Sequence, residues 1–95
     1  MQEQPNASRP KRKNALKLVI SITRDEDATQ LIHALVDHEF RATRINSAGG
    51  FLKRGNSTVV VGVDDEKVDT ILNLIRQSTE HANVMVLNVG RFERL

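Results

Sequence analysis

The order of hydrophobic patterns predicts an α+β fold, a ferredoxin-like β-α-β-β-α-β sandwich whose antiparallel sheet carries two helices on one face. Three observations predict it. Period-two apolar runs open and close the chain, two helical apolar stripes each follow an acidic cluster, and a glycine-rich hairpin joins two similar halves.

Leu16, Leu18, Ile20 and Ile22 alternate with Lys17, Val19 and Ser21, which predicts a first strand over residues 16–22. Asp25, Glu26 and Asp27 then place negative charge at a helix start. Ala28, Leu31, Ile32, Leu35 and Val36 recur at helical spacing, so the first helix is expected over residues 25–38. Residues 41–47 read as a second strand with polar side chains, and the β-branched residues 57–63 as a third. Asp64, Asp65 and Glu66 repeat the acidic start. Val68, Ile71, Leu72 and Ile75 form the second stripe, with Arg76 near the far end of its dipole and an end near Ser78. A short polar connection over residues 79–82 leads to a fourth strand over 83–89, and Gly90 releases the tail that ends R-F-E-R-L.

The face opposite the helices is expected to hold Val19, Val60 and one apolar row of the fourth strand. An apolar sheet face in so small a domain needs a cover, and self-association is the cover expected.

The chain has 95 residues, enough for one modest core, and no cysteine, which excludes disulfides and thiolate metal sites. Residues 1–15 hold Arg9, Lys11, Arg12 and Lys13 against Glu3 alone, whereas the rest is nearly neutral with ten basic residues against eleven acidic ones. The division expected is a disordered basic extension over 1–15 and one domain over 16–95. No apolar run approaches the roughly 20 residues that span a bilayer. Nor is a targeting signal recognised, because Lys17 interrupts the apolar part and acids follow it. A cytoplasmic location is expected, without a membrane partner. Short basic leaders lacking aromatics are usually solvated, so nucleic acid is not an expected partner either.

Residues 40–56, F-R-A-T-R-I-N-S-A-G-G-F-L-K-R-G-N, carry the chemistry. Gly49, Gly50 and Gly55 permit positive φ and close backbone approach, and successive free N–H groups can form an anion nest. Arg41, Arg44, Lys53 and Arg54 supply charge beside it, and Phe51 follows the Gly-Gly pair, where its ring can meet a flat base. A common hairpin loop with a chance phenylalanine is the alternative reading.

Catalytic chemistry finds little support. His33 and His38 are five apart, off a single helical face, and His81 lies in a loop, so no metal-ligand set forms in the sequence. The hydroxyls of Thr43, Ser47, Ser57 and Thr58 have no neighbouring histidine, and neither a Walker loop nor a G-x-G-x-x-G is present. The acidic clusters are explained by helix starts. No catalytic residue, metal or cofactor is expected, and the loop reads as a receptor for a phosphorylated, aromatic ligand.

With R-A-T-R, G-G-F-L, G-N-S-T and V-G-V-D-D-E-K-V-D quoted as they stand, residues 16–95 resemble the PII-like cyclic di-AMP receptors of Gram-positive and related bacteria. The resemblance implies a homotrimer that binds cyclic di-AMP between subunits without turnover and signals to a downstream protein by loop rearrangement. Carried over by position, Arg41 and Thr43 contact phosphate and adenine, Phe51 and Leu52 pack on adenine, and Gly50, Asn56 and Gly62 complete the cradle. Arg94 stands at a penultimate place where the family usually carries Gln, and can add attraction for phosphate. Glu39 stands where Asn is common, and the connection over 79–82 is shorter than in typical members. Residues 1–15 have no family counterpart. A PII-like interaction protein that has lost or changed its nucleotide is the alternative function.

Overall fold

The structure is a computed structural model that describes residues 16–46 and 55–95. Its elements are β1 (Leu16–Arg24), α1 (Asp25–Asp37), β2 (Thr43–Asn46), β3 (Asn56–Asp64), a 3₁₀ turn (Asp65–Lys67), α2 (Val68–Ser78) and β4 (Ala82–Asn88). The strands form one sheet in the order β2-β3-β1-β4, antiparallel throughout. This is the ferredoxin-like arrangement. Among the described residues no helix is long and apolar enough to cross a membrane.

Register decides which residues meet the helices. Lys17 pairs with Val63, Val19 with Val61, Ser21 with Val59 and Thr23 with Ser57, so each pair shares a face. Val19, Val59 and Val61 are buried with Ala28, Leu31 and Leu35 of α1 and Ile71, Leu74 and Ile75 of α2, which makes this row the helix side. The expectation for Val19 is therefore corrected: it packs under the helices. Val60, one residue out of phase with Val61, does face away. Leu18, Ile20 and Ile22 of β1 share that outer face with Met85 and Leu87 of β4, which are 46% and 47% exposed. The outer row of β1 is thus the more apolar one, while the row under the helices carries Val19 with the buried hydroxyls of Ser21 and Thr23.

The helix starts also differ in detail from expectation. Arg24 and Lys67 occupy the N-cap positions, and neither helix has a side-chain capping bond. The acids act instead through charge at the positive end of the dipole and through contacts elsewhere. In α1 the stripe buries Ala28, Leu31 and Leu35 but leaves Val36 58% exposed, and in α2 Leu74 joins the core beside Ile71 and Ile75.

Helix α1 ends in a Schellman motif. Glu39 N–H donates to Val36 O at 2.9 Å and Phe40 N–H to Leu35 O at 2.8 Å, with Phe40 packed against the core. Glu39 sits in the left-handed region at φ 66°, where glycine or asparagine is favoured. The turn sends the chain back across the sheet through Arg41 and Ala42 into β2.

Candidate functional site

A cleft of about 600 Å³ opens on the outer sheet face, lined by Leu16, Lys17, Leu18, Arg41, Thr43, Val60, Gly62, Val89 and Phe92. Its position follows from the register. Leu18 pairs with Gly62 and Val60 with Thr43, so these residues of three adjacent strands share one face. Gly62 has open space where a Cβ would stand. Thr43 projects from the short edge strand, and the chain leaving β4 returns through Val89, whose N–H donates to Leu16 O at 3.0 Å. Phe92 comes back over this wall while remaining 71% exposed.

The cleft is apolar in its floor and cationic at its rim. Leu16, Leu18, Val60, Val89 and Phe92 can pack against a flat ring, Thr43 offers a hydroxyl, and Arg41 offers five N–H donors. Lys17 is the other cation, but its ammonium donates to Asn88 Oδ1 and lies 3.9 Å from Asp65. Such a lining suits a small anion with an aromatic ring.

Of the residues assigned by sequence, Arg41, Thr43 and Gly62 meet here. Asn56 does not. It opens β3 at the far end, six residues from Gly62 and so about 20 Å along the strand, and borders a separate hollow of about 300 Å³ with Ile22, Thr23, Arg24, His81, Ala82 and Asn83. Arg94 is exposed in the tail and lies outside the lining of both. Gly50, Phe51 and Leu52 lie outside the described residues.

Arg44, counted in the sequence among the loop's charges, is engaged elsewhere. Its guanidinium donates to Ser57 Oγ, Thr29 Oγ1 and Asp25 O, on the helix side of the sheet. Ser57, a candidate hydroxyl, is fully buried and donates to Asp25 Oδ1 at 2.5 Å. All three histidines are exposed, and His38 Nδ1 lies 2.9 Å from Ala34 O. Phe92, Val89 and Leu16 were missed as lining residues, since they belong to no motif and meet only through the β1–β4 pairing.

The profile of the cyclic-di-AMP receptor family matches residues 16–94. The chain belongs to that family. The family's known fold is PII-like, in agreement with the sheet order and helix placement described above. A solved structure from Pediococcus pentosaceus, described as a functionally unknown protein, is 35% identical with a TM-score of 0.74, over 85% of this chain and 98% of that one. A Bacillus cereus protein related to NIF3 matches at a TM-score of 0.68 over 82% of this chain and 26% of that one. At 11% identity the second likeness is one of fold alone. The family match begins at Leu16, so the basic run over residues 9–13 stands outside it.

Proposed function

We propose that the protein is a cytoplasmic, non-enzymatic receptor that binds cyclic di-AMP at the interfaces of a homotrimer and signals to a protein partner. The signal in this reading passes by loop rearrangement on binding. The observation that carries the proposal is the outer-face cleft, where Arg41, Thr43 and Gly62 meet an apolar wall in a member of the cyclic-di-AMP receptor family. A cyclic dinucleotide presents two flat bases and two phosphodiesters, and the cleft offers packing for the first and an arginine fork for the second. Phe51 and Leu52 are assigned to the adenine, and Gly50 to backbone contact.

Two features support assembly. Among the described residues no layer covers Leu18, Ile20, Ile22, Met85 and Leu87 on the outer face of β1 and β4, and such a face marks an interaction surface. In addition, Asn56 and Gly62 stand at opposite ends of β3, so a ligand touching both types of residue draws them from two copies of the chain. Arg94, exposed in the tail, is free in the same way to reach a neighbouring copy's ligand.

Isothermal titration with cyclic di-AMP, with cyclic di-GMP and ATP as controls and the solution mass measured in parallel, tests this reading. Micromolar or tighter binding of cyclic di-AMP alone, by a trimer, is expected. A trimer silent toward all three nucleotides points instead to a PII-like regulator that acts by contact.

A further inference from the structure

We propose that Arg44 is a positioning residue for the ligand cleft: by anchoring β2 to the first turn of α1 it fixes where Thr43 stands, without touching the ligand itself; this rests on the receptor reading above. Residues 40–45 alternate in what they meet. Phe40 and Ala42 pack against the buried core, and Arg44 follows them in the same row, bonded to α1. Arg41 and Thr43 belong to the other row and line the cleft. One row of the segment is therefore its anchor and the other its binding face.

The anchors differ in kind. β2 has four residues and stands at the edge of the sheet, with β3 as its neighbour on one side. Packing by Phe40 and Ala42 holds the segment against the core, but apolar contact is non-directional and leaves so short a strand room to tilt. Arg44 adds direction. Its Nη1 donates to Thr29 Oγ1 at 2.8 Å and its Nη2 to Asp25 O at 3.0 Å, while Nε and Nη2 share Ser57 Oγ. A planar fork with acceptors on a helix and on the next strand fixes orientation as well as distance. The acceptors are themselves tied together, since Ser57 Oγ donates to Asp25 Oδ1 at 2.5 Å and Asp25 N–H to Gly55 O at 2.8 Å. Thr43 is the residue before Arg44 and pairs with Val60 of the cleft, so a tilt of β2 carries its hydroxyl along. Groups that bind a ligand need to be held to within about 0.5 Å by such supporting contacts.

The test is titration with cyclic di-AMP of the unaltered chain, Arg44→Gln, Ser57→Ala, Thr43→Val and the Arg44→Gln, Thr43→Val double variant, at a temperature where circular dichroism shows each chain folded. Arg44→Gln should bind roughly three- to tenfold more weakly, to the same extent at about 0.05 M and about 0.5 M salt, because a displaced hydroxyl is not restored by changing the screening. Ser57→Ala keeps every charge and should weaken binding in the same sense, so it carries the test if Arg44→Gln does not fold. In the Thr43→Val background the loss of Arg44 should cost less than about twofold, since the group it positions is already gone. A loss that disappears at high salt overturns the proposal, because it makes Arg44 a source of long-range charge. So does a loss of full size in the Thr43→Val background, which a merely structural role would produce. If the unaltered chain binds no cyclic di-AMP, the receptor reading falls and this role with it; if it binds and the folded Arg44 and Ser57 variants match it, only the role falls.

Discussion

Arg44 Nε and Nη2 both donate to Ser57 Oγ, at 3.2 and 3.1 Å, and through that hydroxyl the second and third strands are clamped to the first turn of α1. The same guanidinium reaches Thr29 Oγ1 at 2.8 Å and Asp25 O at 3.0 Å. Replacing Arg44 by Ala leaves these acceptors short of a donor, some of them buried, and is expected to lower unfolding stability by about 2 kcal/mol. Lysine, with a single point of charge, should restore less than half. Urea denaturation reads both, and a loss under about 0.5 kcal/mol for the alanine variant would show the clamp to be idle.

Arg41 lies three residues earlier and has the opposite fate. It is exposed, makes no ion pair among the described residues, and borders the cleft. Arg41→Ala should change stability by no more than about 0.5 kcal/mol. Its binding of cyclic di-AMP should fall at least about tenfold, as for a lost charge-assisted bond to phosphate. Titration alongside thermal melting separates the two effects; a variant that melts early and binds normally would reverse the assignment.

The contrast between these arginines shows where sequence reading works. Residue type and spacing placed four cations around a glycine loop, yet nothing local reveals that Ser57 and Asp25 capture one of them from 13 and 19 residues away. The elements themselves were legible because period two and period 3.6 are distinct, and their bounds shifted by no more than about two residues except at the start of α2, where Asp64 closes β3 and Asp65–Lys67 form a 3₁₀ turn. Which face of β1 meets the helices was not legible. The row Leu16, Leu18, Ile20 and Ile22 is the more apolar one, yet it is the row with Val19, Ser21 and Thr23 that lies buried under the helices, where Thr23 Oγ1 donates to His81 O. The cleft was half legible: Arg41, Thr43 and Gly62 came from the motif, whereas Phe92 and Leu16 meet only because β4 returns beside β1.

Ser21 is 1% exposed, paired in register with Val59 and Val84, and its Oγ has no hydrogen-bond partner among the described residues. A buried hydroxyl in that state costs free energy that an alanine does not. Ser21→Ala is expected to raise stability by about 1 kcal/mol, seen as a higher melting temperature with ligand affinity unchanged. A fall in stability would mean that the hydroxyl has a partner, such as a buried water.

Gly62 faces the cleft from within the far part of β3, where glycine weakens the local backbone. A Cβ there meets nothing within 4 Å, so Gly62→Ala should fold at least as well as the parent, with a gain of up to roughly 0.5–1 kcal/mol. The methyl group would occupy space assigned to the ligand. Affinity should therefore drop while stability rises, and the two moving together would place the ligand elsewhere.

Glu39 holds φ 66° at the end of α1, a conformation that disfavours any side chain with a Cβ except, in part, asparagine. Asparagine would therefore be favoured here on backbone grounds that are independent of any ligand contact. Three variants divide backbone from charge. Glu39→Gly relieves the strain and should stabilise by roughly 0.5–1 kcal/mol; Glu39→Asn should recover part of that; Glu39→Gln removes the charge and keeps the strain, so its stability should match the parent. If the carboxylate also repels the dinucleotide, all three should bind cyclic di-AMP more tightly at low salt and converge with the parent at high salt. A gain in stability without a gain in affinity confines Glu39 to the helix end. The reverse pattern, with Glu39→Gln alone sufficient to tighten binding and no variant more stable, would make its charge the feature that matters.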